Sequence, residues 1–126
     1  MQVLVLDDSD VMRDIVVKSL LELGLEVKHL DQVSTGSDAI KQLKEKTYDL
    51  FFLDIVMDGI DGIAVLKEVK ALQPKAKVIM CSTFSKSETV KNLIDIGIND
   101  FVVKPFDVNR LKEAVLRQFP DIRVNS

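Results

Sequence analysis

Several residue types that mark particular classes of protein are scarce in this sequence. Its 126 residues contain one cysteine, Cys81, one histidine, His29, and no tryptophan. A single cysteine excludes an internal disulfide and a zinc site built from several thiolates. Low cysteine use also fits the reducing cytoplasm, where we expect the protein. The single histidine falls in a predicted strand, and we interpret it as an ordinary strand residue.

Long apolar runs and a strong charge of one sign are missing as well. No stretch approaches the roughly 20 apolar residues that a membrane-spanning helix needs. The short apolar N-terminal segment has no basic leader, so it does not read as a signal peptide. The formal net charge is −3, which provides no basic face for nucleic acid. We therefore expect contact with neither membranes nor nucleic acid.

Proline and glycine are few and stand singly. The three prolines and five glycines do not cluster into a linker. A chain of this length is typical of one domain, so we predict a single domain over 1–126 with no output domain. Hydrophobic residues make up 47% of the chain, which is enough for a sizeable core.

Apolar runs that alternate with helical patterns predict the fold class. Predicted strands lie at 3–6, 25–30, 50–53, 78–81 and 101–103. Four of them are continuously apolar, as expected for strands buried on both faces, whereas the second alternates imperfectly and is typical of a sheet edge. Helices are expected over about 12–23, 37–46, 65–72, 85–97 and after the cap residue Asp107. The alternation predicts an α/β fold, a parallel sheet with helices on both faces.

Polar residues follow the ends of four predicted strands. Asp7 and Asp8 follow the first strand, Asp54 the third, Ser82 the fourth and Lys104 the fifth. In an open parallel α/β sheet, ligands bind outside the carboxyl ends of the strands. If these strands are neighbours, the five side chains converge on one site.

Three carboxylates, a lysine and a hydroxyl form a set of groups that fits phosphoryl transfer. Clustered carboxylates repel unless a cation intervenes, and Mg²⁺ binds one or two carboxylates while leaving positions for phosphate oxygens. A carboxylate can also be the nucleophile that forms an aspartyl phosphate. Each residue alone has an ordinary explanation, such as a helix cap, a turn residue or a loop hydroxyl. Their joint occurrence at four strand ends favours a site.

Four segments carry the motifs of a known family. They are VLVLDDS at 3–9, LDIVMDGIDG at 53–62, VIMCS at 78–82 and DFVVKPF at 100–106. With these motifs the chain resembles the receiver domains of two-component response regulators along nearly its whole length. The resemblance implies a flavodoxin-like five-stranded parallel sheet in the order 2-1-3-4-5, with about five helices on both faces.

The resemblance also implies a role for each acidic residue and for the lysine. Asp54 is expected to accept the phosphoryl group. Asp8 and Asp54 are expected to bind Mg²⁺ directly, together with the backbone carbonyl of Val56, and Asp7 mainly through water. Lys104 is expected to pair with the acceptor carboxylate and then with the phosphate.

Two further residues are expected to report the phosphorylated state. The Ser82 hydroxyl would turn toward the phosphate, and Phe101 occupies the aromatic switch position. The Lys104-Pro105 peptide bond is expected to be cis, a form that is common only before proline. Together these residues would act on a partner-binding face formed by the fourth helix, the fifth strand and the fifth helix.

The resemblance therefore implies a signalling switch and not a metabolic enzyme, although it would catalyse its own phosphorylation and dephosphorylation. The expected phosphoryl donor is a sensor histidine kinase or a phosphotransfer protein. The expected reader is a downstream protein at the face just defined. We expect a stand-alone regulator of the chemotaxis or relay kind, and relatives often dimerise through the same face.

Three other functions are open at this point. A haloacid-dehalogenase-like phosphatase would use Asp8 as nucleophile and Asp10 as acid, but it needs further late acidic residues and leaves Asp54 unexplained. A flavodoxin-like cofactor binder needs a phosphate loop rich in Ser, Thr and Gly where this chain has two aspartates. A receiver-fold scaffold that never meets phosphate would not need all five polar positions filled.

The sequence departs from the family close to the acceptor and close to Ser82. Asp58 stands where the family usually has Pro, which adds a negative charge to the loop. Ser82 lacks the methyl group of Thr and is less constrained in its rotamer. Thr83 stands where Ala or Gly is frequent, and its bulk is expected to narrow access to the phosphate.

We predict slow loss of the phosphoryl group by self-hydrolysis. Val56 and Phe84 lie two residues after Asp54 and Ser82, and both are apolar, so neither orients an attacking water. Replacing Val56 by Asn and Phe84 by Glu should shorten the phosphoryl lifetime in a decay assay, and an unchanged lifetime would contradict the idea. The alternative is that both side chains only pack.

Overall fold

Strands and helices alternate through the residues that the computed structural model describes, 1–24, 29–55, 62–83 and 87–120. The strands are β1 Gln2–Leu6, β2 His29–Val33, β3 Leu50–Asp54, β4 Lys77–Ser82 and β5 Asp100–Val103. The helices are α1 Asp10–Glu22, α2 Gly36–Glu45, α3 Gly62–Leu72, α4 Ser87–Ile96 and α5 Val108–Gln118. No helix in these parts of the chain has both the length and the apolar character needed to cross a bilayer.

The strands form one parallel sheet in the order β2-β1-β3-β4-β5, which confirms the predicted fold class and strand order. In the register of the central strands, Leu6 pairs with Leu53 and Leu53 pairs with Met80. Every residue of β3 is buried. Burial on both faces explains why the central strands are continuously apolar in sequence.

Helices cover both faces of the sheet, and each face has its own core. One core joins alternate residues of the central strands, such as Leu4, to α2, α3 and α4 through Leu43, Val65 and Leu93. The other core uses the intervening strand residues, such as Val3, and joins them to α1 and α5. The alternation follows from the period of two along a strand.

The prediction for the second strand was wrong in its bounds. We expected it at 25–30, but it spans His29–Val33, and residues 25–28 lie outside the described parts. β2 is an edge strand that pairs with β1 alone, so it tolerates polar residues that a central strand would not. Its Asp31 is satisfied by the Tyr48 hydroxyl and by Lys46. A search for apolar runs therefore misplaces this strand.

Side-chain caps and glycine set the helix ends. Ser9, Thr35 and Asp107 each accept a hydrogen bond from a backbone N–H of the first turn of α1, α2 and α5. α2 begins at Gly36, one residue before the predicted start. Gly24 follows the end of α1 in the left-handed conformation, with φ +73°. The fourth helix was predicted from residue 85; residues 84–86 lie outside the described parts, and α4 is described from Ser87 onward.

Tyr48 connects β2 to the segment that precedes β3. Its ring is buried, its hydroxyl donates to Asp31 Oδ2 at 2.5 Å, and Lys46 Nζ lies 3.1 Å from the same oxygen. Burial, followed by the hydrogen bond to Asp31 and the charge of Asp31, raises the pKa of Tyr48 above its ordinary value of 10.0. The folded protein therefore holds Tyr48 protonated at a pH where the unfolded chain releases the proton.

We predict that Tyr48→Phe lowers the free energy of unfolding by about 1–2 kcal/mol near neutral pH, because the bond to a charged acceptor is lost. A raised folded-state pKa gives stability that is complete below the unfolded pKa of about 10 and is lost as the pH rises above it. The difference between wild type and variant should therefore shrink in urea titrations above about pH 10. A difference that stays constant with pH would contradict this role.

Candidate functional site

The predicted polar residues meet at the carboxyl edge of the sheet. Asp7 follows β1, Asp54 and Ser82 end β3 and β4, and Lys104 follows β5. Lys104 Nζ lies 2.6 Å from Asp7 Oδ2 and 3.2 Å from Asp54 Oδ2. Asp7, Asp54 and Ser82 are all buried. These four strands are neighbours and parallel, so residues far apart in sequence end at the same place.

Three carboxylates form a cluster at this edge. Asp7, Asp8 and Asp54 each offer an oxygen, and these oxygens lie within 4.8 Å of one another. Asp7 and Asp54 are buried, whereas Asp8 is exposed. Three negative groups outnumber the one lysine beside them, and hard oxygen ligands of this kind are those that Mg²⁺ prefers. The residues present therefore fit a hard divalent cation.

Lys104 is held in its charged form. Burial lowers the pKa of its amine, but the hydrogen bond that the amine donates to Asp7 and the charges of Asp7 and Asp54 outweigh burial, so the pKa is raised above 10.5. We expected Lys104 to pair with Asp54, and it does, although its shorter contact is with Asp7. The amine thus joins two of the three carboxylates.

The orientation of Asp7 depends on residues of α1. Its Oδ1 accepts the Ser9 N–H at 2.9 Å, while Lys104 occupies Oδ2. Its backbone carbonyl accepts from Arg13 Nη1 at 2.5 Å, and Arg13 also pairs with Asp10. We did not select Arg13 from the sequence. The sequence does contain a signal for a role of Arg13. A cation in the first turn of a helix interacts unfavourably with the helix dipole, so its presence there calls for another explanation.

Gly62 allows α3 to begin directly against the acceptor candidate. A Cβ at this position would lie 1.7 Å from the backbone oxygen of Asp54 and 2.9 Å from Cα of Ile55. Its N–H donates to the carbonyl of Ile55 at 3.0 Å. Only glycine fits this approach, which is far closer than real Cβ contacts allow.

Some predicted site residues fall where the structure is not described. Val56, proposed as a carbonyl ligand, and Asp58 lie in the segment 56–61, and Phe84 lies in the segment 84–86. Thr83 is described and is exposed. The predictions for the metal-ligating carbonyl and for the phosphoryl lifetime therefore stay predictions.

Phe101 and its surroundings connect the site to α5. The side chain is partly buried and packs against the core on the α3 and α4 side. Its carbonyl accepts from Arg110 Nη2 at 3.2 Å. The Arg110 guanidinium therefore satisfies a backbone group at the sheet edge and is not simply a solvated charge. The Lys104-Pro105 bond is cis, as expected.

Cys81 has a reactive side chain but takes no part in this arrangement. Cys81 is fully buried in β4, and burial raises the pKa of its thiol, so it stays protonated. Its role is that of a small apolar residue. His29 lies in β2, where it pairs with Gln2.

A comparison with protein families gives a match over most of the chain. Residues 3–116 match the family described as response regulator receiver domain. The chemotaxis protein CheY of Bacillus subtilis is 37% identical over 114 residues, which cover 90% of this chain and 93% of that protein. CheY of Thermotoga maritima is 34% identical over 90% of this chain and 93% of its own length.

Solved structures agree with the family match. The receiver domain of NtrX from Brucella abortus superposes with a TM-score of 0.83 at 32% identity, covering 94% of this chain and 98% of that one. The CheY of a Borrelia burgdorferi CheX-CheY-BeF3-Mg complex gives a TM-score of 0.87 at 29% identity, covering 94% and 89%. These findings favour the receiver over the phosphatase alternative. With its sheet order, its acidic cluster and these relatives, the chain belongs to the response regulator receiver domains, the CheY-like signalling switches.

Proposed function

We propose that this receiver domain accepts a phosphoryl group on Asp54 and uses it to switch a partner-binding face. The observation that carries the proposal is the joint position of Lys104 against Asp7 and Asp54 inside a cluster of three carboxylates. Asp54 is buried at the end of the central strand β3, which pairs with β1 and β4, and Asp54 itself pairs with Cys81 of β4. A fixed carboxylate beside a cation is suited to in-line attack on phosphorus.

Asp8 and Asp54 are the direct Mg²⁺ ligands in this proposal, together with the Val56 carbonyl. Both carboxylate oxygens of Asp7 already bind other groups, the Ser9 N–H and the Lys104 amine. This supports a role in which Asp7 contacts the Mg²⁺ ion through water and not directly. Asp8 is exposed and free to turn toward an incoming ion and its waters. When bound, the ion would neutralise charge on the phosphoryl oxygens and hold them in place.

The residues of the chain perform the transfer by position and charge. A carboxylate oxygen of Asp54 forms the new bond to phosphorus, and the phosphorus–nitrogen bond of a phosphohistidine breaks, leaving its electron pair on the imidazole. Lys104 is charged and lies close to Asp54, so its amine can stabilise the negative charge first on the carboxylate and then on a phosphoryl oxygen. The Ser82 hydroxyl donates to a second phosphoryl oxygen. Hydrolysis by water later restores the carboxylate.

Beryllofluoride tests this function without a kinase. We expect beryllofluoride to bind the wild-type protein in the presence of Mg²⁺ and to change the NMR shifts of the backbone amides near Asp54 and Ser82. We expect no binding when Mg²⁺ is left out, and no binding to the Asp54→Asn variant. The competing function is a receiver-fold scaffold that works without phosphate. It would be favoured if wild type gave no Mg²⁺-dependent response and Asp54→Asn behaved like wild type.

The partner proposals follow from the relatives and from the surface. The donor would be a sensor histidine kinase or a phosphotransfer protein, and the reader a protein bound at the α4-β5-α5 face. Ile94 and Val103 expose large apolar side chains there, with 59% and 47% of their surface accessible. The Borrelia CheY was solved with CheX, and the NtrC4 receiver as a beryllofluoride-activated dimer, so either a protein target or a second copy suits this face.

The proposed setting is chemotaxis or a related phosphorelay. Two CheY proteins match over nearly their whole length, which supports a regulator of that kind. The single-domain organisation over 1–126 and the cytoplasmic location stay predictions.

A further inference from the structure

The outer edge of β5 is covered by side chains at Phe101. β5 is an edge strand that pairs with β4 alone, so its outward backbone groups need other partners. The Phe101 N–H donates to Asp100 Oδ1 at 2.8 Å, and its carbonyl accepts from Arg110 Nη2 at 3.2 Å. Two side chains therefore take the place of a neighbouring strand at this residue.

The atoms that hold Phe101 also face each other. Asp100 Oδ1 and Arg110 Nη2 are 3.7 Å apart, which is too long for a direct hydrogen bond. Their charges attract, but each directs its hydrogen bond to the backbone of Phe101. We call Asp100 and Arg110 the edge brace.

The edge brace leaves some of its hydrogen-bonding capacity unused. In the described parts of the chain, the buried side-chain nitrogen and oxygen atoms without a hydrogen-bond partner are Asp100 Oδ2 and Arg110 Nη1. Unpaired buried polar atoms are destabilising. A guanidinium can bind both oxygens of a carboxylate, but here both side chains are turned to the backbone of Phe101 instead.

The brace lies between the acidic site and α5. Arg110 belongs to the first turn of α5, where its own N–H donates to the cap residue Asp107 at 2.8 Å. Phe101 precedes Lys104 by three residues and Asp107 follows it by three. Asp100 and Arg110 are therefore both connected to the short segment that carries Lys104, Asp100 through Phe101 and Arg110 through Asp107. A shift of Lys104 would therefore change the positions of both brace residues.

We propose that the edge brace is a positioning element that holds the Phe101 backbone in the resting conformation. The proposal rests on the proposed function, because the resting and phosphorylated conformations are those of that switch. If the brace stabilises the resting conformation, removing it shifts the equilibrium toward the active one. By linkage, a ligand that favours the active conformation then binds more tightly.

Beryllofluoride binding to two matched variants tests the proposal. Arg110→Met keeps the aliphatic part of the side chain and removes the guanidinium. The control, Arg117→Met, removes a neighbouring guanidinium that lies 3.8 Å from Asp100 Oδ2 and pairs with Glu113. We expect Arg110→Met to bind beryllofluoride with Mg²⁺ roughly two- to tenfold more tightly than wild type. Arg117→Met should change the affinity less than about twofold. A variant that only damages the fold would bind more weakly.

Amide hydrogen exchange without beryllofluoride provides a second arm. The Phe101 amide should exchange faster in Arg110→Met, relative to amides of β3, and not in Arg117→Met. Asp100→Asn keeps an acceptor for the Phe101 amide but loses the charge that attracts Arg110. We expect it to tighten beryllofluoride binding, as Arg110→Met does. It replaces Arg110→Met in the test if that variant does not fold. Unchanged Phe101 exchange, or unchanged or weaker beryllofluoride binding, overturns the proposal. Failure of wild type to bind beryllofluoride counts against the proposed function instead, and the exchange arm still decides on the brace.

Discussion

Asp54→Asn should abolish phosphoryl uptake from a small-molecule donor such as acetyl phosphate, with a rate at least roughly a thousandfold below wild type. An amide is a poor nucleophile toward phosphorus and gives no stable acyl phosphate, so the covalent step itself is removed. The fold should survive, because the change removes one of three clustered negative charges, which repel one another. Phosphoprotein formation with time, measured by intact mass, provides the test.

Two controls separate this effect from a general loss of charge. Asp38→Asn changes an exposed carboxylate in the first turn of α2 and should take up phosphate at the wild-type rate. Asp8→Asn should slow uptake by weakening the Mg²⁺ site while leaving the acceptor in place. Normal uptake by Asp54→Asn together with complete loss in Asp8→Asn would instead favour the phosphatase hypothesis, in which Asp8 is the nucleophile.

Gly62→Ala should lower the free energy of unfolding by about 3 kcal/mol or more. A methyl group at this position would lie 1.7 Å from the Asp54 backbone oxygen, and backbone on a paired strand cannot move aside as a flexible side chain can. Either α3 or the end of β3 must shift. Because the shifted strand end carries Asp54, the proposed acceptor, phosphoryl uptake should also fall in the fraction that remains folded. Urea unfolding combined with the uptake assay tests both effects.

The control for Gly62→Ala is Lys67→Ala on the same helix. Lys67 is exposed, so its replacement should change stability by less than about 0.5 kcal/mol and leave uptake unchanged. If Gly62→Ala matched this control in both assays, the close approach of α3 to the acceptor strand would not be a structural requirement.

The predictions from sequence were accurate where burial is uniform. β3 is a continuous apolar run because both of its faces are covered, and the polar residue that ends it marks the site edge. The convergence of Asp7, Asp54 and Lys104 followed from parallel strands ending together, and the structure confirms it. The local signal for the cap at Asp107 also held, and the cis bond before Pro105 agrees with the expectation that came from the resemblance.

The errors arose where an interaction spans a long distance in sequence. β2 was misplaced because an edge strand needs no apolar run, and its Asp31 is satisfied by Tyr48, which no local pattern shows. No local pattern shows that Arg13 and Arg110 each bond a backbone carbonyl, of Asp7 and of Phe101. Gly62 reads as a turn residue because its role is a close approach to another strand, and only the folded chain shows that distance.

Mapping the phosphorylated residue tests the central claim most directly. The protein would be incubated with acetyl phosphate and Mg²⁺ and reduced with borohydride, which converts an aspartyl phosphate to homoserine, and the position would be read by peptide mass analysis. We predict homoserine at position 54 and unmodified aspartate at positions 7 and 8. Homoserine at position 8, or none at any of the three positions in protein shown to be folded, would contradict the assignment of Asp54 as the acceptor.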